Sequence, residues 1–385
     1  MGAGAAGYAD SMTDPDLDAR RYHRRQLVLS VVGFLLTVAV LVAWVVTGAA
    51  AELAEVLGER LWWHSAVVAA MLAAVGGSTA LLSFPLDVLG GFVLPRRAGL
   101  LSQSFAGWLA DRAKAAALGA VFGLLAFELF YVLLGWSPGR WWLWSAAAVA
   151  AASVVLTAVV PVWIVPLFYR LTPLEDPALR ARLIALAARV GVIAAEVSVA
   201  DFSRKGRTAN AAVVGLGRTR RILVSDTLLS SFPPEEVEVV LAHELAHHAR
   251  GHPTQTLGLQ GVLLVAVFAL AHVGLAAGIG WLGLAGPADP AGLPWLALVL
   301  TGLGLLVTPL GAAWSRRLER EADADALEVT RAPAAFVAAM ERLGRLNLAE
   351  RRPNQLKERL FATHPPLEER IAAARAAERR LAGAA

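Results

Sequence analysis

Six apolar runs, each long enough to cross a hydrocarbon layer that takes about 20 helical residues, lie along this chain, separated by segments that differ in their content of Arg. They cover Gln26 to Thr47, His64 to Phe84, Ala115 to Leu134, Trp142 to Leu167, Thr256 to Leu282 and Leu293 to Trp314. The second is the weakest of the set, because Gly76, Gly77 and Ser78 interrupt it. Between the fourth and fifth runs the pattern changes to that of soluble structure. Pro173 to Val190 has helical spacing, with Asp176 near its start and Leu183, Ile184, Leu186 and Ala187 along it. Ala195 to Ala200, Asn210 to Val214 and Arg221 to Val224 read as short strands, the last two joined by a Leu216-Gly217-Arg218 turn into a hairpin.

A further helix is announced at Ser230 or Ser231 by a capping hydroxyl, by Pro233 and Pro234 in the first turn, and by Glu235 and Glu236 at the positive end of the helix dipole. It should run to about Arg250 and stop at Gly251 and Pro253. Beyond Trp314, charge and alanine alternate at helical spacing, broken by Pro353 and by Pro365 and Pro366. The fold class is therefore mostly α: a polytopic membrane helix bundle that carries a polar part with a small β-hairpin. It divides into a disordered tail at 1–25, a four-span part at 26–168, a polar part at 169–255, two more spans at 256–314, and a helical part at 315–385.

Composition supports a membrane protein, with 57% hydrophobic residues and a mean hydropathy of +0.57. The net charge of +4 does not point to a nucleic-acid partner, because the arginines sit in short clusters beside the apolar runs. Arg20, Arg21, Arg24 and Arg25 precede the first run, Arg96, Arg97, Arg112 and Lys114 lie between the second and third, and Arg316, Arg317 and Arg320 follow the sixth. With six spans these clusters share one side, and the positive-inside rule makes that side, both termini and the 169–255 part cytosolic. The absence of cysteine removes disulfides, thiolate metal sites and thiol nucleophiles. Any transition metal must then be held by His and carboxylates.

His243-Glu244-Leu245-Ala246-His247 meets that condition within the announced helix. Residues four apart project from one helical face, so His243 and His247 can present two imidazoles to one tetrahedral zinc. Glu244, beside the first, is angled to take a proton from a water activated there, the general-base role in metal-assisted peptide hydrolysis. The long pattern with Gly and His three and six residues past the second His is excluded, since Arg250 and Pro253 occupy those positions. His248 and His252 lie off the shared face and read as outer or surface residues. A third ligand must come from a carboxylate on another helix. The dense acidic segment Ser315 to Asp325 offers two pairs with the spacing for one ligand and one acid that orients a ligating His: Glu319 with Asp323, and Glu321 with Asp325. Spacing does not choose between them.

The HExxH helix, the later Ser315-Arg316-x-x-Glu319-x-x-Ala322-Asp323 segment and Thr363-His364-Pro365-Pro366 together resemble the type I CAAX prenyl proteases, which are membrane gluzincins. Phe92 to Arg97, Gly99 and Ser102 to Asp111 are similar to the family's loop after an early span, and Arg207 to Ala211 with Ile222 to Leu229 to its substrate-side hairpin. The resemblance implies Glu319 as the third zinc ligand and Asp323 as the orienting acid. It also implies that Asn210 and His364 contact substrate and the developing oxyanion, with Ala211 and Arg370 beside them. Two features depart from the eukaryotic members: six spans are counted here rather than seven, and Ala212 stands where they carry an aromatic residue.

The expected function is that of an integral-membrane zinc endopeptidase, with one Zn2+ per chain, a peptide or protein substrate and the lipid bilayer as surroundings. Its Ala- and Arg-rich composition points to a bacterial plasma membrane, where the natural substrate need not be lipidated. A heat-shock type quality-control protease is the near alternative. A metal transporter or scaffold is the distant one, and it is disfavoured because only Glu128 and His272 stand well inside a span.

Overall fold

The computed structural model describes residues 15–193, 196–215 and 220–384. Among them six helices are long and apolar enough to cross a membrane: Asp16–Val46, His64–Arg97, Phe105–Trp136, Trp141–Phe168, His252–Leu282 and Pro290–Thr330. They fall on the six apolar runs. The first helix starts at Pro15, so residues 15–25 form its opening turns and are not a disordered tail. Asp16 and Asp18 sit at its positive end, and Asp16 pairs with Arg20 one turn on at 2.8 Å, which favours helix there. Residues 1–14 lie outside the described residues.

The spans pack on one another through Val68, Met71, Leu134, Trp141 and Leu275, while Leu81, Trp163, Val262 and Leu306 point outward and stay exposed. So continuous an apolar exterior belongs in lipid, where helices satisfy their own backbone. The fifth and sixth spans approach closely at glycines. Trp295 donates its indole N–H to the Gly274 carbonyl at 3.0 Å, and a Cβ on Gly278 would lie 2.2 Å from that indole nitrogen. Gly278→Ala should therefore force the two helices apart at a cost of about 1–3 kcal/mol. A lowered thermal midpoint of the protein in detergent is the expected reading, and an unchanged one would mean that the indole swings away freely.

Below the spans lies a four-stranded sheet built from β1 (Leu171–Pro173), β2 (Glu196–Ala200), β3 (Ala211–Val214) and β4 (Arg221–Ser225), in the order β1-β2-β4-β3. β2 and β4 are parallel, and the two outer pairings are antiparallel. The hairpin expected from the sequence is the β3–β4 pair, and β1 is an additional strand. Ala195 and the Leu216-Gly217-Arg218 turn fall outside the described residues. Helix Pro177–Arg189 is capped by Asp176, which accepts from the Ala178 and Leu179 amides at 2.9 and 3.0 Å.

One core unites this part: Leu183, Leu186, Ile222, Leu228, Leu241, Leu245, Phe336 and Ile371 are all nearly inaccessible. The loop after the second span is stitched to it. Ser102 and Gln103 donate their amides to the Lys205 carbonyl, and the Lys205 ammonium meets Asp111 at 2.6 Å. That ties the membrane part to the chain segment that leads into β3.

Candidate metal centre

Helix Pro234–Ala249 runs through the middle of the polar part, which is why Val237, Val239, Val240, Leu241 and Leu245 are all buried. It packs against β3 and the long helix Leu293–Thr330. On that long helix Ala322 and Ala326 are fully buried, and such small side chains let the two helices come close enough for Glu319 and Asp323 to reach the histidines. Both arms of the site hang from spans. Glu319 lies five residues past Trp314, about 8 Å along the helix axis, and the motif helix ends at Gly251, where φ is +67° and the fifth span begins at once. Only a residue tolerating the left-handed region turns the chain so sharply there.

His243 Nε2 lies 3.3 Å from His247 Nε2 and 3.2 Å from Glu319 Oε2, and His247 Nε2 lies 3.4 Å from Glu319 Oε1. Two atoms held by one tetrahedral zinc at about 2.0–2.1 Å sit about 3.3–3.4 Å apart. The two ring nitrogens stand at that separation, and each has one oxygen of the Glu319 carboxylate at a similar distance, so one ligand atom from each of the three residues lies within 4.8 Å of the others. Glu319 Oε2 is buried and has no hydrogen-bond donor, a costly state for a carboxylate oxygen that a cation would relieve. His243, His247 and Glu319 therefore fit a divalent metal, and the choice that spacing left open falls on Glu319. Glu321 and Asp325 point elsewhere: Glu321 toward Arg317 at 3.0 Å, and Asp325 onto Arg250 at 2.5 and 2.6 Å.

Asp323 Oδ1 lies 2.9 Å from His243 Nδ1, so the carboxylate accepts the proton of the nitrogen turned away from the ligand cluster. Arg370 grips the same carboxylate in a fork at 2.6 and 2.8 Å. Burial pulls the His243 ring down, but the carboxylates of Asp323 and Glu319 beside it outweigh that pull and raise the pKa to about 9. The pocket therefore stabilises positive charge between these side chains, the field a cation would feel. Burial pushes the Glu244 carboxyl up, against the lowering pull of His243 and His247. A raised carboxylate is a better proton acceptor.

A cavity of about 540 Å³ opens on the pair His243 and Glu244 and is lined also by Asn210, Ala211, His364 and Arg370. His247, Glu319 and Asp323 do not line it; they meet His243 on its other side. His364 Nε2 faces Glu319 Oε1 at 3.5 Å, while its Nδ1 meets the Thr363 hydroxyl at 2.9 Å. If Thr363 donates, the ring proton sits on Nε2, facing the cavity. Arg370 reaches the cavity with its guanidinium already committed to Asp323.

Several contributors were not legible. Asn347 bonds both backbone groups of Ala209 at 3.0 and 3.1 Å, fixing the chain just before Asn210 from 138 residues away. His23 donates to the Leu348 carbonyl at 2.9 Å and lines the cavity. His248 donates to the Val213 carbonyl at 2.8 Å, and His252 Nδ1 lies 3.0 Å from His247 Nδ1. Arg316 is buried and donates to the Glu358, Arg359 and Ala362 carbonyls at 2.8, 3.2 and 2.6 Å, closing the short helix that leads into His364. Arg316→Ala should unpin that segment while leaving the three ligands in place. Charge-assisted bonds are worth about 1.5–3 kcal/mol each; losing part of that restraint should lower kcat/KM by about tenfold or more with metal content retained, measured on the same preparation.

Residues 173–378 match the model of peptidase family M48, and residues 8–170 match that of the CAAX prenyl protease N-terminal region, described as five membrane helices. Among the described residues, four helices of that stretch are long and apolar enough to span, and the twelve-residue helix Ala49–Arg60 lies between the first two. The uncharacterized metalloprotease YhfN of Bacillus subtilis is 28% identical over 76% of this chain and 70% of its own length. CAAX prenyl protease 1 of Saccharomyces cerevisiae is 30% identical over 45% of this chain, and the match spans only 39% of that enzyme. Protease HtpX of Xanthomonas oryzae is 35% identical over 49% of this chain and 68% of its own length. The crystal structure of S. mikatae Ste24p superposes with a TM-score of 0.83 at 23% identity, covering 96% of this chain and 91% of that one. It shares the fold.

Proposed function

The chain belongs to peptidase family M48 and is a multi-pass membrane metalloendopeptidase, and from that premise we propose that its metal is zinc and that it cuts near the C-terminus of membrane-proximal peptides. The observation that carries this reading is the match of residues 8–170 to the CAAX prenyl protease N-terminal region, beside the match to CAAX prenyl protease 1. Zinc, when bound, supplies Lewis acidity and brings the pKa of its water to about 7.

The chain's own residues supply the rest. β3 is the outer strand of the sheet, and the Ser225 amide donates to the Asn210 carbonyl at 2.9 Å. Antiparallel pairing alternates, so Ala211 and Val213 turn their backbone groups to the open side. His248 already uses the Val213 carbonyl. Ala211 is left to pair with an extended substrate, main chain to main chain, with Asn210 steadying it. Glu244 takes the proton of the attacking water and returns it to the leaving amine. His364 donates its Nε2–H to the carbonyl oxygen as negative charge develops there.

Both arms of the site enter from the membrane within about two helical turns, which favours substrates held at the bilayer. The positive-inside distribution makes the catalytic side cytosolic. A second reading, quality control of membrane proteins, draws on the match to Protease HtpX over 49% of this chain. A panel of peptides, lipidated and plain, separates the two by mass spectrometry. Release of a C-terminal tripeptide from membrane-anchored members is expected; scattered internal cuts would transfer the chain to the quality-control reading.

A further inference from the structure

His252 is the first residue of the fifth span and is almost wholly buried, yet its ring folds back onto the motif helix. The left-handed turn at Gly251 swings it there. Its Nδ1 lies 3.0 Å from His247 Nδ1, with ring centroids 5.0 Å apart and planes at 76°. Its Nε2 faces Glu321 Oε2 at 3.4 Å. Glu321 in turn faces Arg317 at 3.0 Å and Arg250 at 3.7 Å.

Only one proton can occupy the space between two nitrogens, and the rest of the site decides where it belongs. His247 turns its Nε2 toward His243 and Glu319. A neutral imidazole that offers an Nε2 lone pair to a metal must carry its proton on Nδ1. That proton points at His252 Nδ1, which must then accept, so the proton of His252 sits on Nε2, directed at the Glu321 carboxylate. The opposite arrangement, with His252 donating, would place a proton on His247 Nε2 and block the ligand position.

We propose that His252, backed by Glu321, is a positioning residue that fixes the tautomer and the ring plane of His247. The inference rests on the reading of this site as a metal centre. The two ligating histidines would then be held by different means. Asp323 supports His243 with a carboxylate directly, whereas His247 is supported by a neutral imidazole with a carboxylate behind it, a weaker donor of electron density to the ligand. Off-helix placement explains why spacing along the motif helix does not reveal it: His252 reaches His247 across a reversed turn rather than along a helical face.

The experiment measures zinc affinity of the full chain in detergent, by competition with a chromophoric chelator at fixed pH, for wild type, His252→Leu, His252→Asn and Glu321→Gln. Leucine fills the volume without an acceptor, whereas the asparagine amide oxygen can stand near the position of Nδ1. Affinity should fall about 10- to 100-fold in the leucine variant, recover most of that loss in the asparagine variant, and fall measurably, by about two- to tenfold, in Glu321→Gln. Leucine binding zinc as tightly as wild type, or more tightly than asparagine, would show a packing role and overturn the proposal. Should the leucine variant not fold, Glu321→Gln decides, because its side chain is partly exposed and its change is isosteric; unchanged affinity there counts against the relay. A wild-type chain that takes up no zinc would instead remove the metal-centre reading itself.

Discussion

Glu244→Gln is expected to bind zinc and fail to hydrolyse peptides. The substitution keeps the size of the side chain and removes its ability to accept a proton. His243, His247 and Glu319 already lie close enough to share one ion without any part played by Glu244. Burial raises the Glu244 carboxyl, which suits it to take a proton and pass it on, and an amide does neither. General-base catalysis is worth about 10²–10⁴-fold, and turnover should fall by at least that factor. The check is metal content and peptide turnover on one preparation. If the metal leaves with the activity, Glu244 serves the ion; if turnover persists, the base lies elsewhere in the cavity.

The membrane part was legible because its signal is local. About 20 consecutive apolar residues can do little else but span, and the six observed helices cover the six runs. The ends were read less well. Asp16, Asp18 and Arg20 extend the first helix outward through capping and pairing, which no hydropathy window registers. β1 was missed for a related reason, since Leu171-Thr172-Pro173 is too short to carry a period and is a strand only because β2 offers an edge.

At the site, His243, Glu244 and His247 were fixed by one helical turn, a relation contained wholly within five residues. Glu319 needed a packing fact: the buried Ala322 and Ala326 face decides which of two equally spaced acid pairs turns inward. The resemblance to a family pointed the same way. Asn347, 138 residues from the backbone it holds, left no trace in pattern or spacing, and Arg316, visible as part of a motif and of an arginine cluster, gave no sign that it closes a helix some forty residues on. Their partners are carbonyls and amides, and every residue in the chain has those.

Exchanging Glu319 for alanine should cost the metal, whereas the same exchange at Glu321 should not. Both are glutamates on one helix, two residues and therefore about 200° apart around its axis. Glu319 is buried, and one of its oxygens lacks any hydrogen-bond donor, while Glu321 is partly exposed and paired with Arg317. Removing Glu319 takes away one of the three proposed ligands and leaves two imidazoles in a pocket whose remaining near charged groups are Glu244, Asp323 and its partner Arg370. Outer partners typically contribute 10- to 100-fold to affinity, so a ligand's loss should exceed about 100-fold and leave the purified variant short of stoichiometric zinc. Glu321→Ala should keep one ion per chain, with only the modest weakening that its contact with His252 carries. Metal analysis by mass spectrometry, after dialysis of both variants against the same chelator, reads the difference directly. A Glu319→Ala protein that keeps its ion would mean that the two imidazoles and some other oxygen donor complete the site, and a Glu321→Ala protein that loses it would reverse the assignment of the third ligand.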